Sequence, residues 1–319
     1  MTKRIKVGLA LGSGSARGLA HIGVLKVLQE EGIDIDFIAG SSIGAMIGAG
    51  YALYGDVGPL LDIAYSRTKK PLDLMIDPSS PVKGIVSGKK IEYFLDEFGF
   101  KGKEFHDLRI PTIIAATDIL KWTKVALIQG KVTKAIRASV SIPGIFTPVK
   151  YGNTYLVDGG VTDPVPVDLL REAGVDFVIA VGLFSPSDVP TIWDMRDGDE
   201  RSIANINNYE ANTLYNFFLN LGKEKIISGL NWLKSGIVEG PNILDTIFTS
   251  INIMQKELSL RSLEEADIAI VPKGLKGFGL LDFDKAKELI EKGEEATWNL
   301  LPKIKKRINE KKKKSLFMS

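Results

Sequence analysis

From Phe37 to Tyr54 the chain runs for 18 residues without a charged side chain. An uncharged stretch of that length is either a membrane span close to its lower length limit or a segment buried in a protein core. Glycines at 40, 44, 48 and 50 and serines at 41 and 42 favour the second, as a buried strand, a tight turn and a close-packed helix. Gly40, Ser42 and Gly44 spell G-x-S-x-G. Between a strand and a helix this pattern is a nucleophile elbow, a turn that lifts a serine hydroxyl out of the sheet and aims it into a cleft. Strand and helix backbones approach closely there, so a side chain at either glycine would clash. The new helix also turns backbone N–H groups and its positive dipole end toward any charge that develops nearby.

The residues ahead of the elbow set the architecture. Ile5 to Leu11 is a short apolar run, read as a strand, and Gly12-Ser13-Gly14-Ser15-Ala16-Arg17-Gly18 is a loop of small residues. From Leu19 apolar residues recur at helical spacing up to Gly32, which sits where a C-terminal cap glycine is expected. Ile33 to Ala39 gives the next strand. A β-α-β-α opening predicts an α/β fold with a mainly parallel sheet and helices on its faces. The Gly/Ser loop fits no dinucleotide fingerprint in any register, and it lacks the Gly-Lys-Ser/Thr end of a P-loop. Loop and elbow follow successive strands, so both open at the C-terminal edge of one sheet. There the loop's N–H groups can face the serine as an oxyanion hole.

Further on, 79–84 reads as a surface loop, 89–98 as a short amphipathic helix, 110–118 as a buried strand and 125–128 as its neighbour. A helix is expected over 135–140, a strand over 155–158 ending in Asp158-Gly159-Gly160, a helix over 167–173 and a core strand over 177–182. Residues 187–260 change character, loading a helical stretch with aromatic and aliphatic side chains such as Tyr209, Phe217, Phe218 and Trp232. Extra core is one reading; a lid, a membrane-contact face or a dimer surface is the other. Residues 267–272 read as an edge strand and 284–299 as a closing helix.

Charge is unevenly placed. Residues 303–314 hold eight basic side chains against Glu310 alone, +7 locally, so with a whole-chain charge of +2 the rest carries −5. The body is mildly acidic and the basic patch is a C-terminal tail over 303–319, which argues against nucleic-acid binding. That tail is either a solvated end or an electrostatic anchor for anionic lipid. The absence of cysteine excludes thiolate chemistry and fits a reducing compartment, and no apolar signal core follows Met1. The expected location is the cytoplasm, with peripheral contact at the inner membrane face.

A serine nucleophile needs a base, and the chain has only His21 and His106. A hydrolase triad in the order Ser…Asp…His has no histidine left after position 106. His21 reads as structural and His106 as part of a surface turn. Asp158, at a strand end, is the candidate base; its other reading is a turn aspartate.

Three blocks in this order, Gly12 to Leu25, Gly40 to Ala45 and Asp158-Gly159-Gly160, resemble the patatin-like phospholipases, specifically the small bacterial members. The resemblance anchors residues 5–185 and, more weakly, 255–300. It implies a three-layer α/β/α domain over 1–302, with 187–260 as a helical insertion. It also implies a Ser42–Asp158 dyad without histidine, working through an acyl-enzyme. The loop Gly12, Ser13, Gly14, Ser15 and Arg17 would hold the oxyanion, chiefly through the N–H groups around Gly14 and Ser15, with Arg17 ordering it. No metal and no cofactor is implied, and the substrate is a phospholipid or other fatty-acyl ester. Ser13 and Ser15 depart from the family's glycine-richer loop, and the backbone donors there survive that change only if φ stays negative. The same dyad would also serve an acyltransferase or thioesterase, and the same fold a regulatory scaffold.

Overall fold

The computed structural model describes residues 4–67, 86–185 and 243–317. The loop expected at 79–84 and residues 187–242 of the expected insertion lie outside the described residues.

The opening is the expected β-α-β-α. β1 (Val7–Leu11) leads through the Gly/Ser loop and a single 3-10 turn (Ser15–Leu19) into α1 (Ala20–Glu30). β2 (Phe37–Ser41) leads through Ser42 into α2 (Ile43–Tyr54), followed by α3 (Gly58–Arg67). β2 starts later than the apolar run from Ile33 suggests, because the Asp36 carboxylate accepts the Val7 N–H at 2.8 Å ahead of the strand pairing. α4 (Lys89–Leu95) continues into a π-helical turn over Asp96–Phe100. β3 (Thr112–Asp118) and β4 (Thr123–Leu127) form a hairpin, followed by α5 (Val132–Ser139). Then come β5 (Val149–Tyr151), β6 (Thr154–Asp158), α6 (Val167–Glu172) and β7 (Phe177–Val181). α7 (Ile243–Glu264), β8 (Ile268–Ile270) and α8 (Ala286–Phe317) close the chain.

The eight strands pair in the order β5-β6-β3-β2-β1-β7-β8, with β4 on β3. The run β3-β2-β1-β7-β8 is parallel and β4, β5 and β6 join antiparallel. Side chains alternate between faces, as strand geometry demands. Leu9, Leu11, Ile38, Ile114, Ile179 and Val181 point into a large core with α1, α2, α5 and α8. Ala10, Ala39, Ala115, Val178 and Ala180 point the other way, onto α6 and the end of α7. The result is a three-layer α/β/α arrangement. Small side chains line the second face, so α6 packs close to the strands.

One register decides where the chemistry sits. Ile114 and Ala115 pair with both β2 and β4, while Ala116 to Asp118 pair with both β6 and β4. β2 and β6 therefore share one edge of β3, end to end. Being parallel and antiparallel to β3 respectively, they run toward each other, and their C-terminal ends meet at Ala115 and Ala116.

α8 passes through Pro302 and on to Phe317, so the expected boundary between body and basic tail falls inside one helix. Leu301, Ile304 and Ile308 continue its buried stripe, and Lys305 pairs with Glu31 at 2.5 Å. α8 crosses α1 where Gly23 and Gly293 allow contact, since a Cβ on Gly293 would lie 1.9 Å from the Ala20 carbonyl oxygen. Among the described residues no helix is long and apolar enough to cross a membrane.

Candidate active site

Ser42 is the residue between β2 and α2, with φ 56° and ψ −123°. A non-glycine residue there is strained, at a cost of about 1–3 kcal/mol that the surrounding packing must carry. Its neighbours show why glycine flanks it. A Cβ on Gly44 would lie 2.1 Å from the Leu11 carbonyl oxygen, and one on Gly40 would lie 2.5 Å from the Gly44 carbonyl oxygen. The strand, the helix and the Gly/Ser loop converge on this turn with no room for another carbon.

Where the ends of β2 and β6 meet, the Ser42 hydroxyl donates to Asp158 Oδ2 at 2.7 Å. Asp158 Oδ1 accepts the Gly160 N–H, also at 2.7 Å. Burial pushes the Asp158 carboxyl up to about 7, against the opposing pull of the Ser42 hydroxyl and the Gly160 N–H. A carboxylate with that affinity for a proton is matched to taking one from a serine near neutral pH. Asp158 thus caps the turn through Gly160 and also reaches the Ser42 hydroxyl, which a turn aspartate need not do.

Three residues that the sequence pattern did not single out brace this pair. Ser139 Oγ accepts the Ser42 backbone N–H at 2.8 Å and donates to the Ala115 carbonyl at 2.6 Å. The Ser141 carbonyl accepts the Asp158 backbone N–H at 2.9 Å. The buried Arg137 guanidinium donates to Ser141 Oγ and to the Ser87 and Thr147 carbonyls, so it fixes the turn after α5. The available signal was polar: Arg137, Ser139 and Ser141 interrupt an otherwise apolar run that ends at Ile142.

The Gly/Ser loop lies against the elbow, but its expected donors divide. The Gly12 N–H donates to the Val181 carbonyl at 3.0 Å and the Ser13 N–H to the Pro164 carbonyl at 2.8 Å. These two anchor the loop to the sheet. The N–H groups of Gly14 and Ser15 have no acceptor among the described residues. Ser15 has φ 53°, outside the negative range, and Gly14 has φ 158°. The positive φ at Ser15 starts the 3-10 turn into α1, at a cost of about 1–2 kcal/mol for a residue other than glycine. Arg17 Nε donates to the Gly14 carbonyl at 3.4 Å and its guanidinium stacks on Phe184. His21 is fully buried and donates through Nε2 to the Gly12 carbonyl at 2.8 Å. Burial lowers its pKa to about 4, so it is neutral and structural. His106 is exposed beside Glu104 and Asp107.

A cavity of about 160 Å³ opens beside Ser42. Ser42 and Ser15 are the polar residues on its wall. Among the described residues every other lining side chain is apolar, drawn from α1 to α4, the 3-10 and π-helical turns beside α1 and α4, and the segments around Ile142 and Leu280. The arrangement can place a hydrocarbon chain in the cavity and a carbonyl carbon at the hydroxyl.

The patatin-like phospholipase family model matches residues 9–171, half of the chain's 319 residues. An uncharacterised NTE family protein of Mycobacterium tuberculosis is 41% identical over 179 residues, covering 56% of this chain and 49% of that protein. The lysophospholipase nte1 of Aspergillus fumigatus is 35% identical over 189 residues, covering 57% of this chain and 12% of its own length. The lysophospholipase NTE1 of Pyricularia oryzae is 34% identical over 192 residues, covering 59% and 13%. The chain thus spans about half the length of the mycobacterial relative and a small part of the fungal ones. Since the matched span runs from β1 into α6, and so takes in every strand and turn that positions Ser42 and Asp158, the chain belongs to the patatin-like phospholipase family.

Proposed function

We propose that this protein is a lipid acyl hydrolase that cleaves carboxylic esters of fatty acids through a Ser42–Asp158 dyad. The observation that carries the reading is one juxtaposition. A serine hydroxyl bonded at 2.7 Å to a buried carboxylate of raised pKa opens onto a cavity lined by hydrocarbon.

In this mechanism Asp158 Oδ2 takes the Ser42 proton as Oγ attacks the ester carbonyl carbon. The carbonyl π electrons move onto oxygen, and the oxyanion faces the N–H groups of Gly14 and Ser15, which have no acceptor among the described residues. Collapse expels the alcohol, which leaves with the proton from Asp158, and an acyl-Ser42 ester remains. Asp158 then takes a proton from water, the hydroxide attacks the acyl carbon, and the fatty acid leaves as Ser42 regains its proton. The strained elbow and the engaged Ser42 N–H hold the nucleophile in place, so orientation is set before substrate arrives.

The substrate proposed is a phospholipid, lysophospholipid or related fatty-acyl ester. The companion expectation, that residues 303–319 meet an anionic membrane, has weaker geometric support. Lys305 and Lys312 lie with Arg4, Glu31 and Asp36 at the N-terminal ends of β1 and β2, the sheet edge away from Ser42.

The experiment is hydrolysis of p-nitrophenyl butyrate, and labelling by a fluorophosphonate, in wild type, Ser42→Ala and Asp158→Asn. Loss of turnover in both variants with unchanged circular dichroism is the expected result. Full turnover by Ser42→Ala would remove the proposal.

A further inference from the structure

From Ile119 to Val157 the chain carries no aspartate or glutamate, while it holds Lys121, Lys124, Lys131, Lys134, Lys150 and Arg137. A chain with 39 acids in 319 residues would ordinarily place about five in such a stretch. The basic segment begins at the tip of the β3–β4 hairpin.

That tip is built rigidly around a buried acid. Asp118, 2% exposed, accepts the N–H groups of Leu120 at 2.9 Å and Lys121 at 3.0 Å through Oδ1. The same oxygen accepts the Thr154 hydroxyl, and the Ile119 N–H donates to the Tyr155 carbonyl at 3.1 Å. Trp122 is held at φ 57°. The turn thus pinned displays apolar side chains: Trp122 is 89% exposed, Leu120 59%, Tyr155 42% and Ile119 40%. Single exposed apolar residues are ordinary on any surface, but three on a fixed turn with Tyr155 on the adjoining β6 are a patch. Lys121 sits within it, and Lys150 pairs with Tyr155 across β5 and β6. Lys124, one step back, is paired with Asp168 and faces Asp163.

The patch also has a direction. β3 runs parallel to β2, so its C-terminal end points out of the edge from which Ser42 emerges. Asp158 pairs with Ala116, and the tip begins three residues beyond it, roughly 10 Å along the strand. Tryptophan and tyrosine with adjacent lysines are the side chains that settle at a membrane–water interface: rings at headgroup level, ammonium groups toward phosphate.

We propose that the β3–β4 hairpin tip, Ile119 to Trp122 with Tyr155 and Lys150, is a docking element for the surface of an anionic lipid bilayer. It seats in the headgroup layer and holds the mouth of the Ser42 cavity toward the lipid. Its purpose rests on the lipid-hydrolase reading; its test does not.

Binding is read in the Ser42→Ala background by co-sedimentation with vesicles of phosphatidylglycerol and phosphatidylcholine. Ser42→Ala is expected to sediment with the phosphatidylglycerol-containing vesicles, and adding Leu120→Ser and Trp122→Ser is expected to lower the bound fraction at least tenfold. A milder variant guards against misfolding. Tryptophan emission of Ser42→Ala should be quenched by brominated lipid, and the quenching should fall sharply in Ser42→Ala/Trp122→Phe. Equal binding with and without the tip changes, no vesicle binding by Ser42→Ala, or quenching indifferent to Trp122 would each overturn the proposal. Tip changes that turn a dimer into a monomer without affecting vesicle binding would do so as well, and would assign the patch to a second copy. If wild type hydrolyses no ester while these binding results hold, the catalytic reading falls and the docking surface stands.

Discussion

Ser139 Oγ accepts the backbone N–H of Ser42 at 2.8 Å, from a helix 97 residues further along the chain. The same hydroxyl donates to the carbonyl of Ala115 on β3. The Ser42 backbone is thereby tied to the strand against which β2 and β6 meet. Ser139→Ala would leave a buried N–H and a buried carbonyl without partners, at about 1–3 kcal/mol of stability. The expected outcome is a lower melting temperature together with a kcat on p-nitrophenyl butyrate reduced by about tenfold or more, with KM little changed. An unaltered kcat in a folded Ser139→Ala protein would reduce Ser139 to packing.

The pH dependence follows from Asp158. In the proposed mechanism it must be ionised, and with its pKa raised to about 7, kcat/KM should fall about tenfold per pH unit below that value. Stability runs the opposite way. A carboxyl whose folded pKa lies above its ordinary 3.8 supports the fold at low pH, and that support is lost as pH rises through about 7. Asp158→Asn should therefore melt higher than wild type at pH 8, by up to about 4 kcal/mol of stability, and gain nothing at pH 3.5. His21, lowered from 6.5 to about 4, costs stability as pH falls through that interval. Melting curves from pH 3.5 to 9 on both proteins check the signs.

Chain-length preference should reside in the apolar cavity. Ile63, on α3, lines it at a distance in sequence from every residue of the dyad and the Gly/Ser loop. Ile63→Trp should fill part of the 160 Å³ and raise the kcat/KM ratio of butyrate over dodecanoate esters by about tenfold, the worth of a methylene or two of pocket space. A constant ratio would place the acyl chain elsewhere.

The C-terminal helix should behave as part of the fold. Removing residues 303–319 deletes the buried Ile304 and Ile308, and loss of each such side chain ordinarily costs about 2–5 kcal/mol. The truncated protein should melt well below wild type. Lys312→Glu with Lys313→Glu, at exposed positions of the same helix, should leave the melting temperature in place. Vesicle binding by that pair also measures any lipid contact of the basic end.

Much of this was legible in the sequence because it is local chemistry. Buried strands announce themselves as apolar runs, and Gly40-Ser41-Ser42-Ile43-Gly44 reads as an elbow because a strand precedes it and a helix follows. Asp158 was singled out by elimination of histidine and by its place at a strand end, and the structure sets it 2.7 Å from the Ser42 hydroxyl. Ser139, Ser141 and Arg137 were not, since their meaning lies in partners from other elements. The commitment of Gly12 and Ser13 to Val181 and Pro164 depends on β7 and on the turn before α6, which no local pattern reveals. The lysine run disguised the end of α8: charge dominates its composition, whereas Ile304 and Ile308 at helical spacing decide its packing.

β3 serves the two reacting groups as a ruler. Ser42 and Asp158 are set by which residues of one seven-residue strand they stand beside, not by the length of chain between them. Side chains of α2, α3 and α4 line the cavity, so substitutions there can reshape its wall while the spacing of Ser42 and Asp158 stays fixed by β3. The shape of the pocket and the placing of the two side chains are thus set by different parts of the fold.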